Sequence, residues 1–275
     1  AAPAAPQLLY VLAGLAAQDR DWAAALAYAR RLVTDFPAHD TADDALERVG
    51  RAAAEAGAWP AVYEAYAWLH QRYPQSPFVP ESRLAFAQAQ MELGRTGDAR
   101  RVLEDFVRAA PSDPRAAEAW LRLAQARQAA GDPSGALEAY GRAARYGDAG
   151  WTPEMRLTYA RLLSGARRWA EARTAWEPIL RQPDPALAAE AALAIGEAYA
   201  AENDHAAATE YFLSAAYLAP DAAPGQRALL QAGRSLAAQR QPDAAAVVYR
   251  KLLARTGVPA DLVQAARQGL AEIKR

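Results

Sequence analysis

Small and bulky apolar residues return along this chain at a fixed separation. A column of small residues, Ala25, Val62, Ala99, Ala136, Ala172, Ala208 and Ala245, advances in steps of 37, 37, 37, 36, 36 and 37. Four residues on from each comes Ala29, Tyr66, Leu103, Tyr140, Trp176, Phe212 or Tyr249, and eight further a helix stopper: Pro37, Pro74, Pro111, Asp148, Asp184, Pro220 or Gly257. Twelve residues before the small column lies a second tight position, Ala13, Gly50, Ala87, Ala124, Ala160, Gly196 and Gly233. Turn-forming stretches separate the two tight positions, AGAWP at 56–60, LGRTGD at 93–98, AGDPSG at 130–135 and ENDH at 202–205. Each period therefore predicts two helices of about 14 residues, roughly 21 Å long, joined by a tight turn.

Two antiparallel helices approach closely only where both present small side chains, and a large ring nearby fills the wedge between neighbouring pairs. Each pair leaves one apolar face uncovered, so such pairs are stable only when several stack. The pattern predicts an all-α chain of seven helical hairpins over residues 1–259, at about 6–39, 43–79, 80–116, 117–152, 153–188, 189–225 and 226–259. The amphipathic stretch 260–275, ADLVQAARQGLAEIKR, predicts a capping helix that gives the stack a polar end. No internal linker interrupts the register.

These columns resemble the tetratricopeptide repeat: a large residue, a Leu-Gly or Leu-Ala pair, an aromatic, then Ala, Tyr or Phe, Ala and Pro. The fourth repeat carries it in Trp120, Leu123, Ala124, Ala136, Tyr140 and Ala143, and the sixth in Ile195, Gly196, Tyr199, Ala208, Phe212, Ala215 and Pro220. The resemblance spans nearly the whole chain and implies a right-handed α-solenoid that binds other proteins. The period departs from the family's usual 34, with the extra residues after the proline, as in RYPQSPFVPES and RAAPSDPRAAEA. Such loops are similar to those of bacterial envelope members, including outer-membrane assembly and Tol-Pal-associated proteins. That implies the periplasm or the periplasmic face of the outer membrane, with the cytoplasm as the alternative. The clamp with which some co-chaperone members hold a C-terminal carboxylate is absent: Asn203 is the only asparagine, and Lys251 and Lys274 the only lysines.

In such a stack the first helix of each pair lines the concave face, an extended groove for a peptide or helix. The fifth position of each first helix reads Tyr10, Glu47, Leu84, Leu121, Leu157, Leu193 and Leu230, an apolar stripe over five successive repeats. One helical turn on, the same face carries Gly14, Arg51, Gln88, Gln125, Arg161, Glu197 and Arg234. Leu84, Leu121, Leu157, Leu193, Leu230, Arg51, Gln88, Gln125, Arg161 and Arg234 are the candidate partner-binding set; the alternative for the leucines is packing between adjacent first helices. An acidic row, Asp44, Glu81, Glu118, Glu154 and Glu190, lies near helix starts, where carboxylates meet free amides and the positive dipole end.

Composition changes the picture mainly by exclusion. The 52% apolar fraction is rich in alanine, which favours close helix packing. A net charge of -1, from 31 basic and 32 acidic residues, gives no footprint for nucleic acid or anionic membrane. The charge is uneven: 226–275 holds nine bases and three acids after a stretch, 181–225, with one base and seven acids, so self-association through the basic end is open. There is no cysteine, hence no disulfide or thiolate site. The longest uncharged apolar run, Leu8 to Ala17, is too short to span a bilayer. The opening AAPAAP without methionine points to removal of residues upstream.

His39, His70 and His205 fall in repeats one, two and six without metal-ligand spacing, so no metal or cofactor is expected. No phosphate loop or nucleophile elbow occurs, and Ser76, Ser82, Ser112, Ser134, Ser164, Ser214 and Ser235 are expected to sit at turns or within helices without a nearby histidine to act as base. Trp22, Trp59 and Trp169 recur at helix starts as wedge fillers. The sequence reads as a non-catalytic scaffold or adaptor, or alternatively as a self-associating spacer of an envelope or secretion assembly.

Overall fold

The computed structural model describes residues 5–273; the opening AAPA, Lys274 and Arg275 lie outside the described residues. Fifteen helices and no strand occur among the described residues: α1 (Ala5–Gln18), α2 (Trp22–Asp35), α3 (Ala42–Glu55), α4 (Trp59–Arg72), α5 (Phe78–Glu92), α6 (Thr96–Ala109), α7 (Ala116–Ala129), α8 (Pro133–Ala144), α9 (Pro153–Gly165), α10 (Trp169–Leu180), α11 (Pro185–Ala201), α12 (His205–Leu218), α13 (Ala223–Ala238), α14 (Pro242–Leu253) and α15 (Ala260–Ile273). The helices form two compact units, one ending at Gly150 and the other beginning at Trp151. Within each unit every helix packs on the next. In the first unit the odd-numbered helices also touch in series, α1 to α3 to α5 to α7, and in the second α11 touches α13 and α13 touches α15. This is an all-α helical repeat solenoid.

Packing follows the predicted columns. Ala25, Val62, Ala99, Ala136, Ala172, Ala208 and Ala245 are all fully buried, as are Tyr66, Leu103, Tyr140, Trp176, Phe212 and Tyr249. The rings lie over the tight position of their own hairpin, sixteen residues earlier. A Cβ built on Gly50 would lie 2.4 Å from Tyr66 Cε1, and one on Gly196 2.6 Å from Phe212 Cδ1. The wedge role predicted for the rings is thus first a role within the hairpin.

The turn inside each hairpin places one residue in the left-handed region. These are Arg20, Gly57, Gly94, Gly131, Arg167, Asn203 and Arg240, in the same steps as the small column. The next residue starts the second helix, and where it is aspartate it caps it: Asp21 accepts from the Ala24 amide at 3.0 Å, Asp132 from Gly135 at 2.8 Å and Asp204 from Ala207 at 3.1 Å. Between repeats, the carbonyl of the terminating proline accepts from a side chain one repeat on, Pro37 from Tyr73 Oη at 3.0 Å and Pro111 from Tyr146 Oη at 2.8 Å.

Candidate partner-binding face

The first helices carry the candidate face, and its geometry is set by their close approach. The leucine row is largely interior: Leu84, Leu121, Leu193 and Leu230 are buried, Leu121 to 1% exposure, and Leu157 is half-buried. Leu193 and Leu230 belong to the second unit's apolar core. Glu47 takes the leucine's place in the second repeat, where burial pushes its carboxyl above the usual range against the opposing pull of Arg51, 2.9 Å away. Four of the five leucines therefore offer a ligand almost no surface, and side-chain recognition falls to the row one turn further on.

In that row Arg51, Arg161 and Arg234 are exposed and Gln88 and Gln125 half-buried. Several of these side chains already tie one first helix to the next. Arg122 of α7 donates to Gln88 Oε1 of α5, and Arg122 also holds Glu118 on its own helix. In the second unit Arg161 of α9 makes a two-pronged pair with Glu190 of α11, at 2.8 and 2.9 Å. Glu197 of α11 faces Arg227 of α13 at 3.6 Å; burial raises the Glu197 carboxyl and Arg227 opposes that. In the first repeat Tyr10, of the leucine row, donates through Oη to Asp44 at 2.7 Å, and the Arg48 guanidinium lies 5.3 Å from the Tyr10 ring centre.

The acidic row accordingly divides. Glu154 behaves as a first-turn acid should: hydrogen bonds from its own backbone and from Thr152 hold its carboxyl below the usual range. Asp44 and Glu190 instead cross to the preceding first helix, and Glu190, the sixth residue of α11, lies beyond the first turn and its free amides. Sequence reasoning missed Arg122, Arg227 and Tyr10 as members of this ladder. Their signal is a separation shorter than the repeat: 34 residues for Tyr10–Asp44 and Gln88–Arg122, and 29 for Arg161–Glu190.

One expectation is overturned outright. Ser82 does have a histidine beside it: His70 Nε2 lies 2.8 Å from its hydroxyl. Ser82 Oγ donates to the Val79 carbonyl at 3.1 Å, so the histidine Nε2–H is the donor to Ser82. Ser82 is only 3% exposed, and His70 is packed against the Phe86 ring at 4.8 Å between centres. The pair is a part-buried strut between α4 and α5. His39 lies at the α2–α3 loop beside Thr41 and Gln7, and His205 at the start of α12. No group of three potential metal-ligating side chains gathers among the described residues, and no helix there is long and apolar enough to cross a membrane.

A family model described as tetratricopeptide repeat matches residues 84–152 and 157–226, just over half of the chain, and a second model of that description matches 227–255. The chain belongs to the tetratricopeptide repeat family. No curated protein matches it. Among solved structures, a tetratricopeptide repeat protein from Parabacteroides merdae is similar at 14% identity and TM-score 0.50, covering 98% of this chain and 99% of its own. The C-terminal part of a repeat protein from Cytophaga hutchinsonii reaches TM-score 0.55 at 12% identity, with 93% and 98% covered. YrrB, described as a tetratricopeptide protein with an unusual peptide-binding site, reaches 0.54 at 15% identity, with 78% of this chain and 100% of YrrB covered.

Proposed function

We propose that this tetratricopeptide protein is a non-catalytic scaffold that holds an extended or helical segment of a partner protein along the first-helix face of its repeats. The observation that carries the reading is the row Arg51, Gln88 and Gln125 in the first unit and Arg161 and Arg234 in the second: polar side chains at one position of the repeat, interrupted in the sixth repeat by Glu197, and set beside row leucines that are buried or, at Leu157, half-buried. Guanidinium and amide donors at one repeat position suit the carbonyls and carboxylates of a peptide laid across the helices. Leu84, Leu121, Leu157, Leu193 and Leu230 serve that face as its floor. The fold shared with YrrB, whose description includes a peptide-binding site, supports the reading.

Arg161 already engages Glu190, so a partner carboxylate must compete for it, and binding is expected to weaken with salt. Replacing Leu121 by aspartate would report on folding instead, because the residue is buried. The test is selection of peptides from a displayed random library, followed by affinity measurement on Arg51→Glu, Gln125→Glu, Arg161→Glu and Arg234→Glu chains that keep their helical circular dichroism. A loss of about tenfold or more from charge reversal in the row supports the face. Selected peptides that bind all four variants as tightly as the parent chain sink it.

A further inference from the structure

A cleft of about 680 Å³ opens in the first unit, lined by α6, α7, α8 and the residues just after α6 and α8. Its apolar wall includes Val107, Trp120, Leu123 and Tyr146. Counting back along the repeat shows why the space is there. The positions equivalent to Val107 and Leu123 one repeat earlier are His70 and Phe86, whose rings meet at 4.8 Å between centres. Two repeats earlier, the positions equivalent to Glu104 and Arg142 are Arg30 and Trp68, with the guanidinium 5.3 Å from the ring centre. Beside α7 neither bulky pair is present, and the aliphatic Val107 and Leu123 leave a hollow with an indole at its edge. That indole is particular to this repeat, because the column of Trp120 otherwise reads Leu9, Leu46, Arg83, Arg156, Ala192 and Leu229.

The polar side of the cleft is basic: Arg108, Arg127, Arg142 and Arg145 line it against one carboxylate, Glu104. Arg127 is also particular to this repeat, standing in a column of Ala16, Ala53, Gln90, Leu163, Tyr199 and Leu236. It is fixed by Glu104 at 3.2 Å, Glu138 at 3.4 Å and the Gly135 carbonyl at 3.0 Å, and Glu104 is shared with Arg100 at 3.9 Å. Arg142 reaches Glu138 at 3.8 Å and Arg108 reaches Asp105 at 3.3 Å, pairs in which both partners are exposed. Arg145 makes no ion pair among the described residues. The four lining guanidinia therefore meet three carboxylates, and positive charge is left over beside an aromatic wall. We infer that the cleft binds an aromatic monocarboxylate, its ring against Trp120 and its carboxylate on Arg145. The volume is that of a small-ligand site, the excess charge matches one carboxylate, and an indole face offers a ring its stacking partner. Exposed pairs such as Arg108 with Asp105 hold their partners weakly, so those guanidinia are free to turn to a ligand. No residue of the partner-binding row lines the cleft, and the inference does not rest on that row.

Saturation-transfer NMR with 1-naphthylacetate on the whole chain tests the site. A ligand of this size is expected to bind at millimolar concentration or tighter. Uncharged 1-naphthylacetamide should bind at least about tenfold more weakly, and so should the acid on Arg145→Gln. Val107→Phe, which returns a ring to the place of His70, should also lose the acid while helical circular dichroism is kept. Arg234→Gln, from the partner-binding row, should bind the acid as the parent chain does, so a failure of this site and a failure of the peptide face are told apart. Acetyl-Trp-Glu-amide in the same assay identifies the source of the group, and either answer supports the cleft: tighter binding than the free acid assigns it to a partner protein, weaker binding to a small molecule. Equal binding of acid and amide overturns the inference, as does an Arg145→Gln chain that binds the acid as tightly as the parent. So does a folded Val107→Phe chain with unchanged binding, or a parent chain that shows none up to about 20 mM.

Discussion

The Tyr249 ring is held between two glycines, Gly233 of α13 and Gly269 of α15. A Cβ on Gly233 would lie 2.3 Å from Tyr249 Cε1, and one on Gly269 2.6 Å from Cζ. The ring has nowhere to go, since Tyr249 is buried on both sides within the second unit's core. Gly233→Ala gains helix propensity of about 1 kcal/mol but forces a rigid ring to shift, which costs about 1–3 kcal/mol. Net destabilisation is expected in chemical unfolding. Gly97→Ala in α6, where a Cβ meets nothing within 4 Å, should be neutral or stabilising in the same assay. Equal effects from the two would show that the ring is not packed as described.

The left-handed turn position gives a second prediction. Gly57, Gly94 and Gly131 hold φ of 70, 73 and 74°, and in other repeats Arg20, Arg167 and Arg240 hold 59, 57 and 59°. A side chain costs about 1–2 kcal/mol there, against an entropic cost of roughly 0.5–1 kcal/mol for introducing glycine. Arg20→Gly, Arg167→Gly and Arg240→Gly should each raise stability by up to about 1 kcal/mol, read from the unfolding midpoint. Loss of stability in all three would mean that these arginines make contacts that outweigh the backbone strain.

Ala58 occupies the helix-start column in which Asp21, Asp132 and Asp204 each accept an amide hydrogen bond. Ala58→Asp should cap α4 in the same way and add about 1 kcal/mol, measured by urea denaturation. The neighbouring Gly57 already supplies the required turn, so no backbone rearrangement opposes the gain.

His70 provides the pH dependence. Burial, with a smaller push from Arg83, lowers its pKa to about 4 from an ordinary 6.5. The unfolded chain takes up the proton first, so this contribution to stability is complete above about pH 6.5 and is lost as pH falls toward 4. Thermal midpoints measured across that window should decline, and His70→Gln, which keeps an N–H for Ser82, should decline less. Parallel curves for the two chains would remove His70 from the account.

The sequence by itself determined the repeat: its small, bulky and stopping residues act within one hairpin, over separations of four to sixteen residues, and local helix and turn chemistry decides what they do. Family membership and the all-α solenoid follow from those columns. The tertiary structure alone decided which side chains on the first helices are spoken for. Leu84 and Leu121 look like an exposed stripe at one-repeat spacing, yet both are buried. Arg161 meets Glu190, and Arg122 meets Gln88, at separations that depend on how far each helix is rotated against the next. His70 found Ser82 for the same reason, across the contact between α4 and α5. Helix rotation is set by the packing of the whole core, and periodicity along one chain carries no measure of it.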